Sequence, residues 1–134
     1  MEPMLVDTTV WVDWFRGIDN LQTNRVATYL RANYPIWIAP TIVQETLQGV
    51  REDDQFELIK TSLLALHCFQ VDPITIAVEA ASLYRQLRKK GVTIRKANDC
   101  LIAQFALQAD MTLLHNDSNF ELIASLIPLK ASRE

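Results

Sequence analysis

The sequence predicts an α/β domain whose mostly parallel sheet is covered by helices on both faces. Short apolar runs of strand length alternate with longer stretches in which apolar residues recur at helical spacing. Strands that alternate with helices in this way are joined by right-handed crossovers, which place the helices against the sheet. The chain has 134 residues, of which 49% are hydrophobic and 22% charged, and this size and composition fit one compact core. We therefore expect a single domain over residues 1–134.

The first strand and the first helices are predicted on either side of Asp7. An apolar run at 4–6 stops at Asp7, and apolar residues then recur at helical spacing until Gly17. A second helix is predicted from about residue 20 to residue 32. The run at 35–39 is predicted as a buried strand, because its proline stands at the first residue, where a missing N–H is tolerated.

The second strand leads into a helix that carries Glu45. This helix opens near Thr41, which with Gln44 has the spacing of a capping box. Glu45 therefore falls within the first two turns. The chain breaks at 49–54, and a further helix then leads into a strand near 68–71.

The longest predicted helix begins after Asp72. Asp72 and Pro73 have the residue types of an N-cap and a first helical position. Two lysines at 89–90 and Gly91 close the helix. Its predicted buried stripe consists of Ile74, Ala77, Val78, Ala81, Tyr84 and Leu87.

The last third of the chain is predicted as helix, strand and helix. Asn98 has the residue type that caps the first of these helices, and the strand follows at 112–114. Ser118 and Glu121 have the spacing of a second capping box, which predicts that the last helix begins there.

Four acidic residues are predicted to meet at one edge of this sheet. Asp7 ends the first strand, Glu45 lies early in the helix after the second, Asp99 opens a helix, and Asp117 follows the strand at 112–114. In parallel sheets, ligand sites form at the carboxyl ends of the strands, near the switch in strand order. Carboxylates repel by ~1 kcal/mol per pair at 4 Å in water and by more where they are partly buried, so the group requires a cation. Oxygen ligands without cysteine or paired histidine select Mg²⁺ or Mn²⁺.

A cation held in this way supports phosphodiester hydrolysis, because it can clamp the phosphate and activate a bound water. The net charge of −3 argues against a protein that holds nucleic acid mainly by a basic surface. Thr9 can orient Asp7, Arg95 and Lys96 can contact phosphate oxygens, and His115 has either a structural role or a contact with substrate. Any one of the four acids, taken alone, is equally typical of a helix cap or a loop.

Cysteine usage and the N-terminus indicate a cytoplasmic protein. Cys68 and Cys100 lie in apolar stretches without C-x-x-C spacing, and we expect both to be reduced core residues. The start of the chain lacks the pattern of a secretory signal, and no apolar run approaches the ~18 residues that span a bilayer.

Four segments that carry these acids match a known sequence pattern. They are Leu5-Val6-Asp7-Thr8-Thr9-Val10, Pro40-Thr41-Ile42-Val43-Gln44-Glu45, Asn98-Asp99-Cys100-Leu101-Ile102-Ala103 and Leu113-Leu114-His115-Asn116-Asp117-Ser118-Asn119-Phe120. Together they resemble the PIN-domain family and, within it, the VapC-type toxins of toxin–antitoxin pairs, over nearly the whole chain. Asn119 departs from the family pattern, which often has a second aspartate at that position.

The resemblance implies a three-layer α/β/α sandwich and an endoribonuclease that depends on Mg²⁺ or Mn²⁺. It also implies a homodimer and a cognate antitoxin that blocks the acidic groove. The metal-binding and catalytic residues would be Asp7, Glu45, Asp99 and Asp117. The substrate-binding or supporting residues would be Thr9, Arg95, Asn98 and His115.

Three other classes of protein share parts of this pattern. A receiver domain has similar length, an acidic Mg²⁺ pocket and a lysine that Lys130 could imitate, but it needs paired acids at the first strand, where Asp7 stands alone. A haloacid-dehalogenase-type phosphatase requires D-x-D there. A PIN-like interaction protein without activity would have no reason to keep the four acids grouped.

Overall fold

The computed structural model describes residues 2–134, which form one five-stranded sheet and seven α-helices. The strands are β1 (Met4–Val6), β2 (Ile36–Ile38), β3 (His67–Cys68), β4 (Thr112–Leu114) and β5 (Ala131–Ser132). The helices are α1 (Thr8–Phe15), α2 (Leu21–Ala32), α3 (Pro40–Gln48), α4 (Asp53–Leu64), α5 (Pro73–Lys89), α6 (Ala97–Gln108) and α7 (Ser118–Ala124). No helix within this range is long and apolar enough to cross a membrane.

All strand pairs are parallel, and the strand order is β3-β2-β1-β4-β5. The chain builds outward from β1 to β3 and then returns to the other side of β1 with β4. The switch in strand order therefore lies between β1 and β4, where Leu5 is in register with Leu113. Just beyond this register, the backbone N–H of Asp7 donates to the carbonyl of Leu114 at 2.9 Å. The carboxyl ends of the two central strands are thus fixed beside each other.

The helices form two groups. α1 packs against α2 and α3, and α3 packs against α4, whereas α5 packs against α6 and α6 against α7. The two groups meet where α3 contacts α6, at Glu45 and Asn98. Right-handed crossovers to opposite sides of β1 place the first group on one face of the sheet and the second group on the other. The predicted three-layer α/β/α sandwich is confirmed.

The core is formed by the strands and by the helix faces turned to them. Met4, Leu5 and Val6 of β1 are all buried, as expected for the central strand of a sheet covered on both faces. α6 is buried on several sides, through Cys100, Ile102, Ala103, Phe105 and Ala106. Because its surroundings fix α6 so closely, the residues of its first turn are also held in place.

Two of the predicted helix starts are confirmed. Asp72 is the N-cap of α5, and its carboxylate accepts from the backbone N–H of Thr75 at 2.9 Å. Pro73 takes the first helical position. Asn20 caps α2 in a reciprocal capping box with Thr23.

Three of the predicted caps are wrong. α3 begins at Pro40 with Ala39 as N-cap, so the pattern at Thr41 and Gln44 has no capping role. α6 begins after Lys96, which places Asn98 inside the first turn. α7 is capped by the Asp117 carboxylate, which accepts from the N–H of Asn119, and not by a box between Ser118 and Glu121.

The buried face of α5 also differs from the prediction. Ile76, Ala80, Leu83 and Leu87 are buried, whereas Ile74 and Val78 are 72% and 65% exposed. The helix carries two interleaved apolar stripes. Of the predicted stripe, Leu87 is buried and Tyr84 packs against the core while partly buried. An exposed apolar stripe therefore runs along the outer side of α5.

Cys100 is buried as predicted, but the prediction for Cys68 is wrong, since this residue is exposed. The difference follows from β3, which has only two residues and lies at the edge of the sheet. The opposite edge is β5, another two-residue strand that the sequence did not predict. Edge strands this short give little apolar patterning.

Candidate active site

A cavity of about 340 Å³ opens at the carboxyl edge of the sheet, beside the switch in strand order. Its lining comes from the segments that follow β1 and β4 and from the first two turns of the neighbouring helices. The lining residues are Asp7, Thr8, Thr9, Val12, Asp13, Glu45, Lys96, Asp99, Asn116 and Asp117. All four acids predicted from the sequence thus share one cavity, together with Thr9.

Asp7 is buried at the floor of this cavity and also serves as the N-cap of α1. Its Oδ2 accepts from the backbone N–H of Thr9 at 3.1 Å and from the Thr9 hydroxyl at 2.7 Å. The same hydroxyl oxygen accepts from the backbone N–H of Asn116 at 3.0 Å. Thr9 therefore links the end of β1 to the loop after β4. Burial raises the pKa of Asp7, although the two Thr9 hydrogen bonds oppose this shift.

Glu45 reaches the cavity from the second turn of α3. Its Oε1 accepts from the Thr8 hydroxyl at 2.9 Å, and its Oε2 accepts from the Asn98 amide at 3.5 Å. Glu45 is thus held between the start of α1 and the start of α6. Asn98 acts on the cavity through this hydrogen bond, while its own side chain lies outside the lining.

Asp99 lies in the first turn of α6 and is only 5% exposed. Its Oδ2 accepts from the amide of Asn119 at 3.2 Å. Burial raises the pKa of Asp99 to about 6, and the negative charges of Asp7 and Asp117 add to the shift. The Asn119 amide and, more weakly, Lys96 act in the opposite direction. Ionised Asp99 is therefore under electrostatic stress that a bound cation would relieve.

Asp117 follows β4 and caps α7. Its Oδ1 accepts from the backbone N–H of Asn119 at 2.9 Å, and its own backbone N–H donates to Nδ1 of His115 at 3.1 Å. His115 is fully buried beneath the cavity and does not line it. Burial and the charge of Arg133 lower the pKa of His115.

The cavity holds five carboxylic acids and one lysine, so its charge is strongly negative. None of these acids forms an ion pair with any basic residue from 2 to 134. The available donors are carboxylate, hydroxyl and amide oxygens, without cysteine or histidine, which suits Mg²⁺ or Mn²⁺. In the arrangement described for residues 2–134, no three acidic, histidine or cysteine side chains form a ready-made metal site. Hydroxyl and amide partners hold the carboxylates instead, so a cation would be bound by reorienting them.

The structure separates two basic residues that the sequence treated together. Arg95 is exposed and outside the lining, so the cavity geometry gives it no contact with a ligand in the cavity. Lys96 lines the cavity, and its ammonium forms no ion pair with the described residues. Its charge is free to meet an anion.

Sequence reasoning missed Thr8 and Asp13 as part of the lining. Thr8 binds Glu45 directly, and Asp13 adds a carboxylate, which accepts from the Asn20 amide at 3.1 Å. A signal for Asp13 was present, because Asp13 follows Thr9 by four residues and such pairs share one face of a helix. The contact of Thr8 with Glu45 depends on how α1 and α3 pack.

Comparison with known proteins agrees with this geometry. The family model described as PIN domain matches residues 4–126. Over 130 residues, the chain is 31% identical to a VapC ribonuclease of Mycobacterium bovis and, equally, to ribonuclease VapC11 of Mycobacterium tuberculosis. Each match covers 96% of this chain and 97% of the relative.

A solved structure with the same fold is a toxin–antitoxin complex from Klebsiella pneumoniae. Its matched chain superimposes with a TM-score of 0.71 at 18% identity, over 96% of this chain and 95% of that one. The family model, the two relatives and the acids at the switch in strand order lead to one assignment. The chain belongs to the PIN-domain family.

Proposed function

We propose that this protein is an endoribonuclease that depends on Mg²⁺ or Mn²⁺ and hydrolyses RNA phosphodiester bonds. The observation that carries the proposal is the group of carboxylates in one cavity, in which burial raises the pKa of Asp7 and of Asp99. Buried acids without basic partners destabilise the fold, so their presence favours a functional explanation. The names of the two 31% identical relatives support ribonuclease activity.

Asp7, Glu45, Asp99 and Asp117 would hold the cation. When bound, Mg²⁺ or Mn²⁺ would neutralise charge on the scissile phosphate and lower the pKa of a water. The chain's other residues orient these acids. Thr9 holds Asp7 against the loop after β4, Thr8 and Asn98 hold Glu45, and Asn119 holds Asp99.

Lys96 is the residue that we assign to the phosphate backbone. It is the one basic residue in the lining, and it forms no ion pair with residues 2–134. A lysine at a phosphate acts as a point charge and adds affinity without sequence preference. A single such contact agrees with the net charge of −3, because the cation and not a basic surface would carry most of the phosphate binding.

A cleavage assay tests the proposal. Purified protein is incubated with a structured RNA in MnCl₂, in MgCl₂ and in EDTA, and the products are resolved on a sequencing gel. We expect discrete cleavage with either cation and none in EDTA. An absence of cleavage under all three conditions would favour the PIN-like interaction protein without activity, and cleavage in EDTA would contradict metal dependence.

We also propose that a cognate antitoxin neutralises the protein in the cytoplasm, where its RNA substrates lie. The fold match to a toxin–antitoxin complex supports this partner. The strongly acidic cavity suits a basic side chain from the partner, because charge-assisted hydrogen bonds to carboxylates are strong. Co-purification of a small basic protein encoded beside this one would identify the antitoxin.

We propose that the protein forms a homodimer through the exposed apolar stripe of α5. Ile74 and Val78 project beside an apolar groove of about 420 Å³. The groove is lined by Ala77, Ala80, Ala81, Tyr84, Arg85, Ala97, Asn98 and Leu101. A twofold interface needs a projection and a recess on the same surface, and exposed apolar patches of this kind mark interaction sites.

Val78→Glu is expected to make the protein monomeric. A desolvated charge without a partner should weaken dimerisation by about 100-fold, or about 3 kcal/mol. Analytical ultracentrifugation at micromolar concentration measures the effect. Leu58→Glu is the matched control, because Leu58 is 61% exposed on α4, away from this groove. A monomeric wild type, or equal effects of the two variants, would contradict the proposed interface.

A further inference from the structure

The ring of His115 lies directly beneath the candidate active site but does not line the cavity. It is fully buried between β4 and α7, with its ring centroid 5.3 Å from that of Phe120. The backbone N–H of His115 donates to the carbonyl of Ser132 at 3.0 Å. The ring is therefore fixed by packing on one side and by the β4–β5 pairing on the other.

The two ring nitrogens have very different surroundings. Nδ1 accepts from the backbone N–H of Asp117 at 3.1 Å, which requires the neutral ring with its proton on Nε2. Nε2 is buried and has no hydrogen-bond partner among residues 2–134. A buried N–H without a partner costs stability. An apolar side chain of similar size would avoid this cost but would leave the Asp117 N–H without an acceptor, so what the histidine supplies here is the acceptor at Nδ1.

The bond that the ring does make acts on the cavity. Asp117 stands at the turn from β4 into α7, and its carboxylate caps α7. The orientation of this carboxylate follows from the backbone at the turn, which two hydrogen bonds hold. The backbone N–H of Asn116 donates to the Thr9 hydroxyl oxygen, and the backbone N–H of Asp117 donates to Nδ1 of His115. Removal of the acceptor at Nδ1 would release the second of these two bonds, next to the carboxylate itself.

We propose that His115 is a positioning residue, whose Nδ1 fixes the backbone of Asp117 so that the Asp117 carboxylate faces the cavity. The inference rests on the proposed function, since positioning matters only if Asp117 holds the cation. It also explains the orphaned Nε2, which is the cost of placing an acceptor at Nδ1.

Two substitutions separate positioning from packing. His115→Leu fills the space and removes the acceptor. His115→Asn places an amide oxygen near the position of Nδ1 and can still accept from Asp117. Each variant and the wild type are compared in kcat and KM for RNA cleavage with Mn²⁺, in Mn²⁺ affinity by calorimetry, in Tm, and in hydrogen exchange at the Asp117 amide.

We expect His115→Leu to lower kcat and weaken Mn²⁺ binding by about 10-fold, within the range known for residues that orient metal ligands. KM should change little and exchange at the Asp117 amide should speed up. Tm should change little, because the variant loses the Asp117 hydrogen bond together with the unpartnered Nε2–H. His115→Asn should recover most of the lost kcat and Mn²⁺ affinity and protect the amide again.

Several results would overturn the inference. One is wild-type kcat and Mn²⁺ affinity in His115→Leu. Another is a fall in Tm that parallels the loss of activity without recovery in His115→Asn, since that pattern belongs to packing. A wild-type protein that cleaves no RNA would instead contradict the proposed function. Amide exchange and Mn²⁺ binding would in that case still test whether His115 positions Asp117.

Discussion

Asp99→Asn is expected to abolish most RNA cleavage while making the fold more stable. Loss of this carboxylate should lower kcat by at least about 100-fold, because residues that merely orient metal ligands already contribute 10- to 100-fold. Stability should move in the opposite direction. The raised pKa of Asp99, about 6 instead of 3.8, means that the folded state disfavours its ionised form.

The sign of the stability change follows from proton linkage. Between pH 3.8 and about 6 the folded protein holds a proton on Asp99 that the unfolded chain has released, so the free energy of unfolding falls as the pH rises. At pH 7 Asp99 is ionised in both states, so the folded state carries the full destabilisation caused by the buried charge. Asparagine carries no charge and can still accept from Asn119, so the variant should gain roughly 1–3 kcal/mol.

Urea unfolding at pH 7 without Mn²⁺ measures the change in stability. A cleavage assay at pH 7 with Mn²⁺ measures the change in kcat. Asp19→Asn is the matched control, since Asp19 is an exposed aspartate outside the cavity lining. It should leave both quantities unchanged. Cleavage of RNA by Asp99→Asn at the wild-type rate would contradict a role for Asp99 in the active site.

The fold and the position of the site were accessible from the sequence because they depend on local patterns. Apolar runs with the period of strands or helices located β1, β2, β4 and every helix, and they predicted β3 near 68–71, where the structure has it at His67–Cys68. A mostly parallel sheet then places Asp7 and Asp117 at one edge, because parallel strands have their carboxyl ends at the same edge. The prediction that these two acids lie close together depends only on the sheet topology. Errors of one or two residues at the ends of strands and helices do not change that topology.

The helix starts were harder, for a reason tied to function. Ser118 and Glu121 have a valid capping pattern, but the acid at the end of β4 lies one residue earlier and takes the cap. Asp7 does the same for α1. Two of the four site acids, Asp7 and Asp117, are therefore themselves caps. At α3 and α6 the reason is different, because the N-cap positions hold Ala39 and Lys96 and no side chain caps either helix.

The remaining errors concern tertiary packing. α5 has two apolar stripes, and periodicity alone does not decide which stripe meets the sheet and which stays outside. The role of Asn119 at Asp99 and the depth of His115 likewise depend on contacts between distant segments. The same limit applies to charge, since the raised pKa of Asp99 comes mainly from burial, which the sequence does not report.

The second large effect concerns pH and metal together. Mn²⁺ should bind roughly 10-fold more weakly for each pH unit below about 6, because the cation must displace the proton of Asp99. The raised pKa of Asp7 makes the dependence steeper still if a second proton is displaced. Cleavage should fall with the same profile at a fixed, subsaturating Mn²⁺ concentration.

Thermal unfolding and calorimetry measure this coupling. In EDTA, the stability contributed by Asp7 and Asp99 should fall as the pH rises through their raised pKa values. Saturating Mn²⁺ should raise Tm at every pH, and by more at pH 7.5 than at pH 5, because ionised acids gain most from a cation. Calorimetry in two buffers of different ionisation enthalpy counts the protons released, and Asp99→Asn should release fewer. Mn²⁺ affinity that stays constant from pH 5 to pH 7 would mean that the buried acids do not hold the cation, which would contradict the proposed metal site.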